Sequence, residues 1–194
     1  MVKKSNRNTR GRIVSAAWKL FYEQGYEDTT VEEIIELSGT SKGSFYHYFD
    51  GKDALLSTLS SLFDEKYEEL TGLLTPEMTA MEQLLFLNRE LFHMIEDSIS
   101  LDLLARLYST QLTTNGEKHL LDHNRIYYKL LRKIIAKGQS EGQLSSRSNV
   151  NEMVKLYALC ERALLYDWCL CAGEYALTEY SAKVLPGFLS SFLP

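Results

Sequence analysis

Between residues 41 and 48 the chain gathers small residues, hydrogen-bond donors and one cation: Ser41, Lys42, Gly43, Ser44, Tyr46, His47 and Tyr48. Such a set suits non-covalent recognition, because donors beside small residues can approach base edges and phosphate oxygens closely. Thr30 and Lys52 flank it at the starts of two neighbouring helical patterns. Backbone N–H groups at helix starts favour anions, so both positions are expected to face phosphates.

The elements that must hold these residues can be read from the same stretch. Thr30 with Glu33 three residues on forms a capping box, and Val31, Ile34, Ile35 and Ser38 then mark one buried face. Gly39 follows the last periodic residue, where a left-handed backbone ends a helix at little steric cost. Ser41 stands ready to cap a second helix, in which Phe45 and Phe49, four apart, point to the core. Lys42 and Tyr46 then share the exposed side with Gly43 and His47. Two short helices about a glycine turn is the layout of a helix-turn-helix, a module that reads DNA.

From Ile13 to Leu56 the chain resembles the DNA-binding signature of the tetracycline-repressor (TetR) family. The resemblance rests on Gly25-Tyr26, Thr29-Thr30-Val31, Gly39-x-Ser41-x-Gly43-x-Phe45-Tyr46, Tyr48-Phe49 and Lys52-Asp53 with Leu55 and Leu56. The family often reads Tyr-x-His-Phe where this chain has Tyr46-His47-Tyr48-Phe49, which leaves open whether His47 or Tyr48 faces a phosphate. The resemblance implies base-edge or nearby backbone contacts for Lys42 and Ser44, and phosphate contacts for Tyr46 and His47. It also implies a homodimer on a palindromic double-stranded operator, most often as a repressor, with a small-molecule effector in a C-terminal domain that releases DNA. A ligand-independent regulator or an activator is the alternative within the same class.

Charge is placed to match. The net charge of −5 alone argues against a nucleic-acid partner, yet Lys3, Lys4, Arg7, Arg10 and Arg12 put five cations and no acid into the first twelve residues. Residues 51–194 carry 14 basic and 19 acidic side chains, so a basic end on an acidic body would orient the reading end toward phosphates. Residues 1–9 lack apolar periodicity and are expected to be a mobile arm.

Beyond the arm the pattern is helical throughout. Ile13, Ala16, Ala17, Leu20 and Phe21 predict a first helix, and residues 52–70 a fourth that joins two regions. Five further periodic segments follow, at 77–97, 100–112, 117–139, 149–171 and 176–192. The expectation is an all-α chain of about nine helices: an N-terminal arm and helix-turn-helix domain over 1–51, and a C-terminal ligand-binding and dimerisation domain over 52–194. The last two long segments are apolar on more than one side, which marks them for a dimer interface. Phe92, Tyr108, Tyr127 and Trp168 lead the candidates for an effector cavity, with Phe86, His93, Met94 and Tyr128 beside them.

Other classes find little support. No apolar run approaches the ~20 residues a membrane helix needs, and the polar, basic start is unlike a secretory signal, so a cytoplasmic protein without a membrane partner is expected. Cys160, Cys169 and Cys171 lack a Cys-x-x-Cys and are expected to be reduced core thiols. His119 and His123, four apart with Glu117 and Asp122 near, have a spacing able to hold a metal but no confirmed third ligand. With no Gly-rich phosphate loop, nucleophile elbow or His-Glu-x-x-His, neither an enzyme nor a cofactor is expected.

Overall fold

A computed structural model of the chain describes the backbone of residues 2–113 and 118–194 and the side chains of residues 9–113 and 118–194. Every regular element among them is helical: α1 (Val2–Gln24), α2 (Val31–Ser38), α3 (Lys42–Tyr48), α4 (Lys52–Leu56), α5 (Leu59–Thr71), α6 (Ala80–Ser98), α7 (Leu101–Thr113), α8 (Ile126–Ser140), α9 (Val150–Leu170) and α10 (Leu177–Leu189). Single 3-10 turns occupy His119–Leu121 and Ser190–Phe192. Because α4 and α5 are two parts of one broken rod, the count among the described residues matches the nine expected.

The break between α4 and α5 has a local cause. Ser57 Oγ donates to the Ala54 carbonyl at 2.7 Å and Thr58 Oγ1 to that of Leu55 at 2.5 Å, while the Thr58 and Ser60 amides bond three residues back. Hydroxyls bonding back to the preceding turn compete with the regular ladder and bend the helix. At the other end of the chain, α1 starts at Val2, so the residues read as an arm continue its backbone. The side chains of Lys3, Lys4 and Arg7 lie outside the described residues.

Helices α1, α2 and α3 close over Ile13, Ala17, Phe21, Ile34, Phe45 and Phe49, all buried, with Leu20, Val31 and Ile35 half-buried against them. The body packs α6 against α5, α8 and α10, and α9 against α7, α8 and α10. Gly138 of α8 allows a close approach there: a Cβ at this position would stand 2.5 Å from that of Ala80 and 2.8 Å from Leu144 Cδ1.

The segment expected as one helix over 117–139 is shorter than that. His119 lies in the 3-10 turn and His123 in the loop before α8, so the helical spacing proposed for a metal pair is not formed. Glu117 lies outside the described residues, and among the described ones no group of three His, Cys, Asp or Glu could hold a metal. No described helix is long and apolar enough to cross a membrane.

Candidate functional site

Thr30 caps α2 from an extended backbone: its hydroxyl accepts from the Glu33 amide at 3.2 Å, and the Glu33 carboxylate accepts from the Thr30 amide at 2.7 Å. The Thr30 amide first, then the Thr30 hydroxyl donating to the same carboxylate at 2.7 Å, hold the Glu33 carboxyl below its usual range. Gly39 ends the helix at φ 61°, ψ 38°, its amide donating to Glu36 and that of Thr40 to Ile35. Ser41 then caps α3, accepting from the Ser44 amide at 3.1 Å, and the two hydroxyls lie 2.9 Å apart. The N-cap of α3 at Ser41 is thereby fixed two residues after the C-cap of α2 at Gly39, as the turn of this module requires.

On α3, Phe45 and Phe49 are buried while Lys42, Gly43, Tyr46 and His47 are exposed and Ser44 and Tyr48 half-buried. Tyr48 packs against the core and the edge of the His47 ring, so of the two it is His47 that stands outward. The Lys42 ammonium lies 5.9 Å over the Tyr46 ring and pairs with Glu32 at 3.3 Å. Arg10 stacks over Phe49 at 5.4 Å, bringing a second cation to the same end of the head.

Lys52 is placed differently from its sequence reading as a forward-facing cation. Its ammonium donates to the carbonyls of Tyr26, Glu27 and Thr29 at 2.6, 3.2 and 2.9 Å and lies 4.3 Å over the Tyr26 ring. All three protons are engaged in holding the loop before α2, which sets where Thr30 and the α2 start point. The Tyr26 phenol donates to Asp53, and burial first, then that bond, pushes its titration up.

The same loop meets the body. Arg106 of α7 pairs with Glu27 of the loop and with Asp102 at 2.9 Å, and its guanidinium lies 4.9 Å over the Tyr26 ring. Trp18 Nε1 donates to Thr58 Oγ1 at 2.9 Å, tying α1 to the α4–α5 break. Apart from the Arg106–Asp102 pair, four residues apart on α7, nothing in the sequence pattern signals these links, since each joins residues distant in the chain.

In the body, Tyr108 and Tyr127 come together on the wall of a cavity of about 50 Å3, with Phe63, Tyr67, Arg125, Glu161 and Arg162 among its other lining residues. Phe92 and Trp168, expected beside them, take no part in that wall. Phe92 is core, and Trp168 is buried with its indole N–H donating to the Tyr175 carbonyl at 2.9 Å. Phe86 faces a groove between α6 and α10 instead, and His93 forms a surface pair with Asp97. Beyond Tyr108, Leu120 and Arg162 a second groove of about 410 Å3 opens between α7 and α9, lined also by Leu112, Leu121, Leu159, Ala163 and Tyr166, with Lys118 at its side.

Glu161 and Tyr67 were not among the residues singled out from sequence. Glu161 is buried, accepting from Tyr127 Oη at 2.6 Å and Asn88 Nδ2 at 2.9 Å; burial outweighs these bonds and raises its titration. A carboxylate in the apolar register Tyr157–Leu164–Leu165 was the available signal. The free thiols of Cys160 and Cys169 are pushed up to about 11 by burial.

An all-helical body behind a capped two-helix head, with donors standing out from the second helix, defines a helix-turn-helix protein. Residues 13–59 match the family described as bacterial regulatory proteins, tetR family. HTH-type transcriptional regulator QacR of Staphylococcus aureus is 36% identical over 62 residues, which make up 32% of this chain and 33% of QacR. The chain thus spans about a third of that relative's length, and 29% of a Lactococcus lactis HTH-type regulator to which it is 39% identical over 56 residues. Over fuller length, the Bacillus subtilis fatty acid metabolism regulator protein is 23% identical across 90% of both chains. Thermus thermophilus FadR, a TetR-family transcriptional repressor crystallised with lauroyl-CoA, superposes with a TM-score of 0.75 at 26% identity, covering 95% of each chain.

Proposed function

We propose that the protein is a ligand-responsive transcriptional repressor that binds a palindromic operator as a homodimer. The observation that carries this reading is the α3 face, where Lys42, Gly43, Tyr46 and His47 stand exposed on a helix whose start is fixed by the Gly39 stop and the Ser41 cap. Residues 1–51 form the reading head and 52–194 the body. Lys42 and Ser44 address base edges or the adjacent phosphate backbone, Tyr46 and His47 phosphates, and the α2 start at Thr30 a flanking phosphate. Lys52 serves by fixing the loop that aims Thr30.

Dimerisation has a candidate surface. Leu159, Ala163, Tyr166 and Leu170 form an exposed stripe at helical spacing along α9, and Tyr180 is exposed on the neighbouring α10. Apolar side chains in a contiguous stripe mark an association face, and two heads on one dimer are what half-sites about a helical turn apart require. A second copy docked on this stripe would also roof the groove that shares Leu159, Ala163 and Tyr166.

The effector we propose is an amphiphile of the acyl-thioester class. Lauroyl-CoA in Thermus thermophilus FadR supports it, as does an apolar groove with Lys118 and Arg162 on its walls and no acid among its lining residues. Binding against α7 would act on the heads through Arg106, Glu27 and Tyr26, to the extent that the ligand prefers one arrangement of the body over the other. A mobility shift on an operator selected from random duplexes tests this: lauroyl-CoA is expected to release the DNA. Light scattering should give twice the 22.3 kDa chain mass. A monomer mass, or a complex indifferent to acyl thioesters, contradicts the corresponding part.

A further inference from the structure

The Tyr67 hydroxyl is buried at the wall of the 50 Å3 cavity and finds no hydrogen-bond partner among the described residues. A buried donor left unmade carries the full desolvation penalty of the group, so an apolar residue of the same shape would serve a plain core better. Its neighbours are engaged elsewhere. Arg125 Nε bonds Asp64 at 3.0 Å and its Nη2 the Ser60 carbonyl at 2.9 Å. Tyr127 donates to Glu161 at 2.6 Å, Tyr157 to the Leu84 carbonyl at 2.8 Å, and Arg162 to the Tyr128 hydroxyl at 3.3 Å.

A water needs about 10–15 Å3 of this kind of volume, so the cavity has room for roughly three to five non-hydrogen atoms. It shares Tyr108, Leu120 and Arg162 with the larger groove between α7 and α9, which stands outside it. A ligand lying in that groove would reach Tyr67 with its innermost end.

We propose that this cavity is the blind end of the effector site and receives an oxygen-bearing group, a hydroxyl or carbonyl, that accepts the Tyr67 proton. The effector is then an amphiphile polar at both ends, with its apolar middle over Leu112, Leu121 and Leu159. A hydroxyl suits the site best, since it can accept from Tyr67 and donate to Glu161. This rests on the reading of the body as an effector domain, and it narrows the acyl class to chains with an oxygen at the far end.

Two measurements separate this inference from that reading. Crystals of the full chain soaked in 2-propanol should show the alcohol in the cavity with its oxygen within about 3.2 Å of Tyr67 Oη. An ordered water there that the alcohol does not displace, or an alcohol turned away from Tyr67, overturns the inference whatever acyl chains do. Affinities of ω-hydroxyacyl-CoA and plain acyl-CoA of eight, ten and twelve carbons form the second arm. At the best length the hydroxyl should tighten binding about tenfold, and Tyr67→Phe, which keeps the ring, should abolish the preference while still binding the plain chain. Plain chains preferred at every length, or a preference that survives in Tyr67→Phe, overturn it. If the alcohol seats on Tyr67 and neither acyl series binds, the oxygen-accepting end stands and the acyl class proposed above fails.

Discussion

Glu32 pairs with Lys42, and with Lys42 addressing DNA as proposed, replacing Glu32 should strengthen operator binding. In the free protein the Lys42 ammonium lies 3.3 Å from the Glu32 carboxylate, with side chains 68% and 69% exposed. A pair this exposed contributes about 0.2–1 kcal/mol, so releasing Lys42 by Glu32→Gln tightens each head by roughly 1.4- to 5-fold, and a dimer docking two heads by roughly 2- to 30-fold. The loss of an acid in the first turn of α2 costs the helix only ~0.3–1 kcal/mol, too little to unfold the head. Fluorescence anisotropy on a selected duplex at fixed salt reads the affinity. The same substitution in a Lys42→Ala background supplies the control, because there only general charge repulsion is relieved and the gain should shrink. Lys42→Ala alone should flatten the salt dependence by about 0.9 in slope for each phosphate it leaves unneutralised. Unchanged or weaker binding by Glu32→Gln, or an equal gain in both backgrounds, refutes competition between Glu32 and DNA for Lys42.

Three further outcomes are expected. Burial raises the Glu161 titration above its unfolded value, so its contribution to stability is complete below about pH 4.5 and declines as pH rises through the folded value; Glu161→Gln should therefore gain in melting temperature relative to wild type between pH 5 and 8, and a constant difference would contradict it. Gly138→Ala sets ~1–3 kcal/mol of overpacking against Ala80 and Leu144 against ~1 kcal/mol of helix gain, so the melting temperature should fall by a few degrees; a rise would show that the α6–α8 contact gives way. Arg106→Gln removes the guanidinium from Glu27, Asp102 and Tyr26 and should leave operator affinity within a few-fold while reducing effector-induced release; release at wild-type ligand concentrations would place the coupling elsewhere.

The head was legible because its determinants are local. The Thr30–Glu33 box, the left-handed Gly39, the Ser41 cap and the Phe45–Phe49 spacing each act within four residues, and chain order alone exposes them. Where one residue acts across the fold, sequence misled or was silent. Lys52 reads as a phosphate-facing cation until its three carbonyl acceptors, some 25 residues earlier, are in view. The Ser57–Thr58 pair was a readable sign of the break after α4, but Leu55, Leu56, Leu59 and Leu62, continuing at helical spacing across it, hid it. In the body, Tyr67 and Glu161 sit in apolar registers that look like plain core, and only the packing of α5 against α8 and α8 against α9 sets them on one cavity. His119 and His123 had the right spacing for a helix that the chain does not form there.

Whether α3 is the reading helix is best decided by selecting bound sequences from a random duplex library with the full-length protein, then measuring affinities of Lys42→Ala and Tyr46→Phe for the winner. An inverted repeat should emerge, with half-site centres one helical turn, ~34 Å, or a multiple apart. Both variants should bind it more weakly at unchanged helical content and mass. Failure to enrich any sequence, or full-strength binding by both variants, would contradict the assignment of α3 as the reading helix.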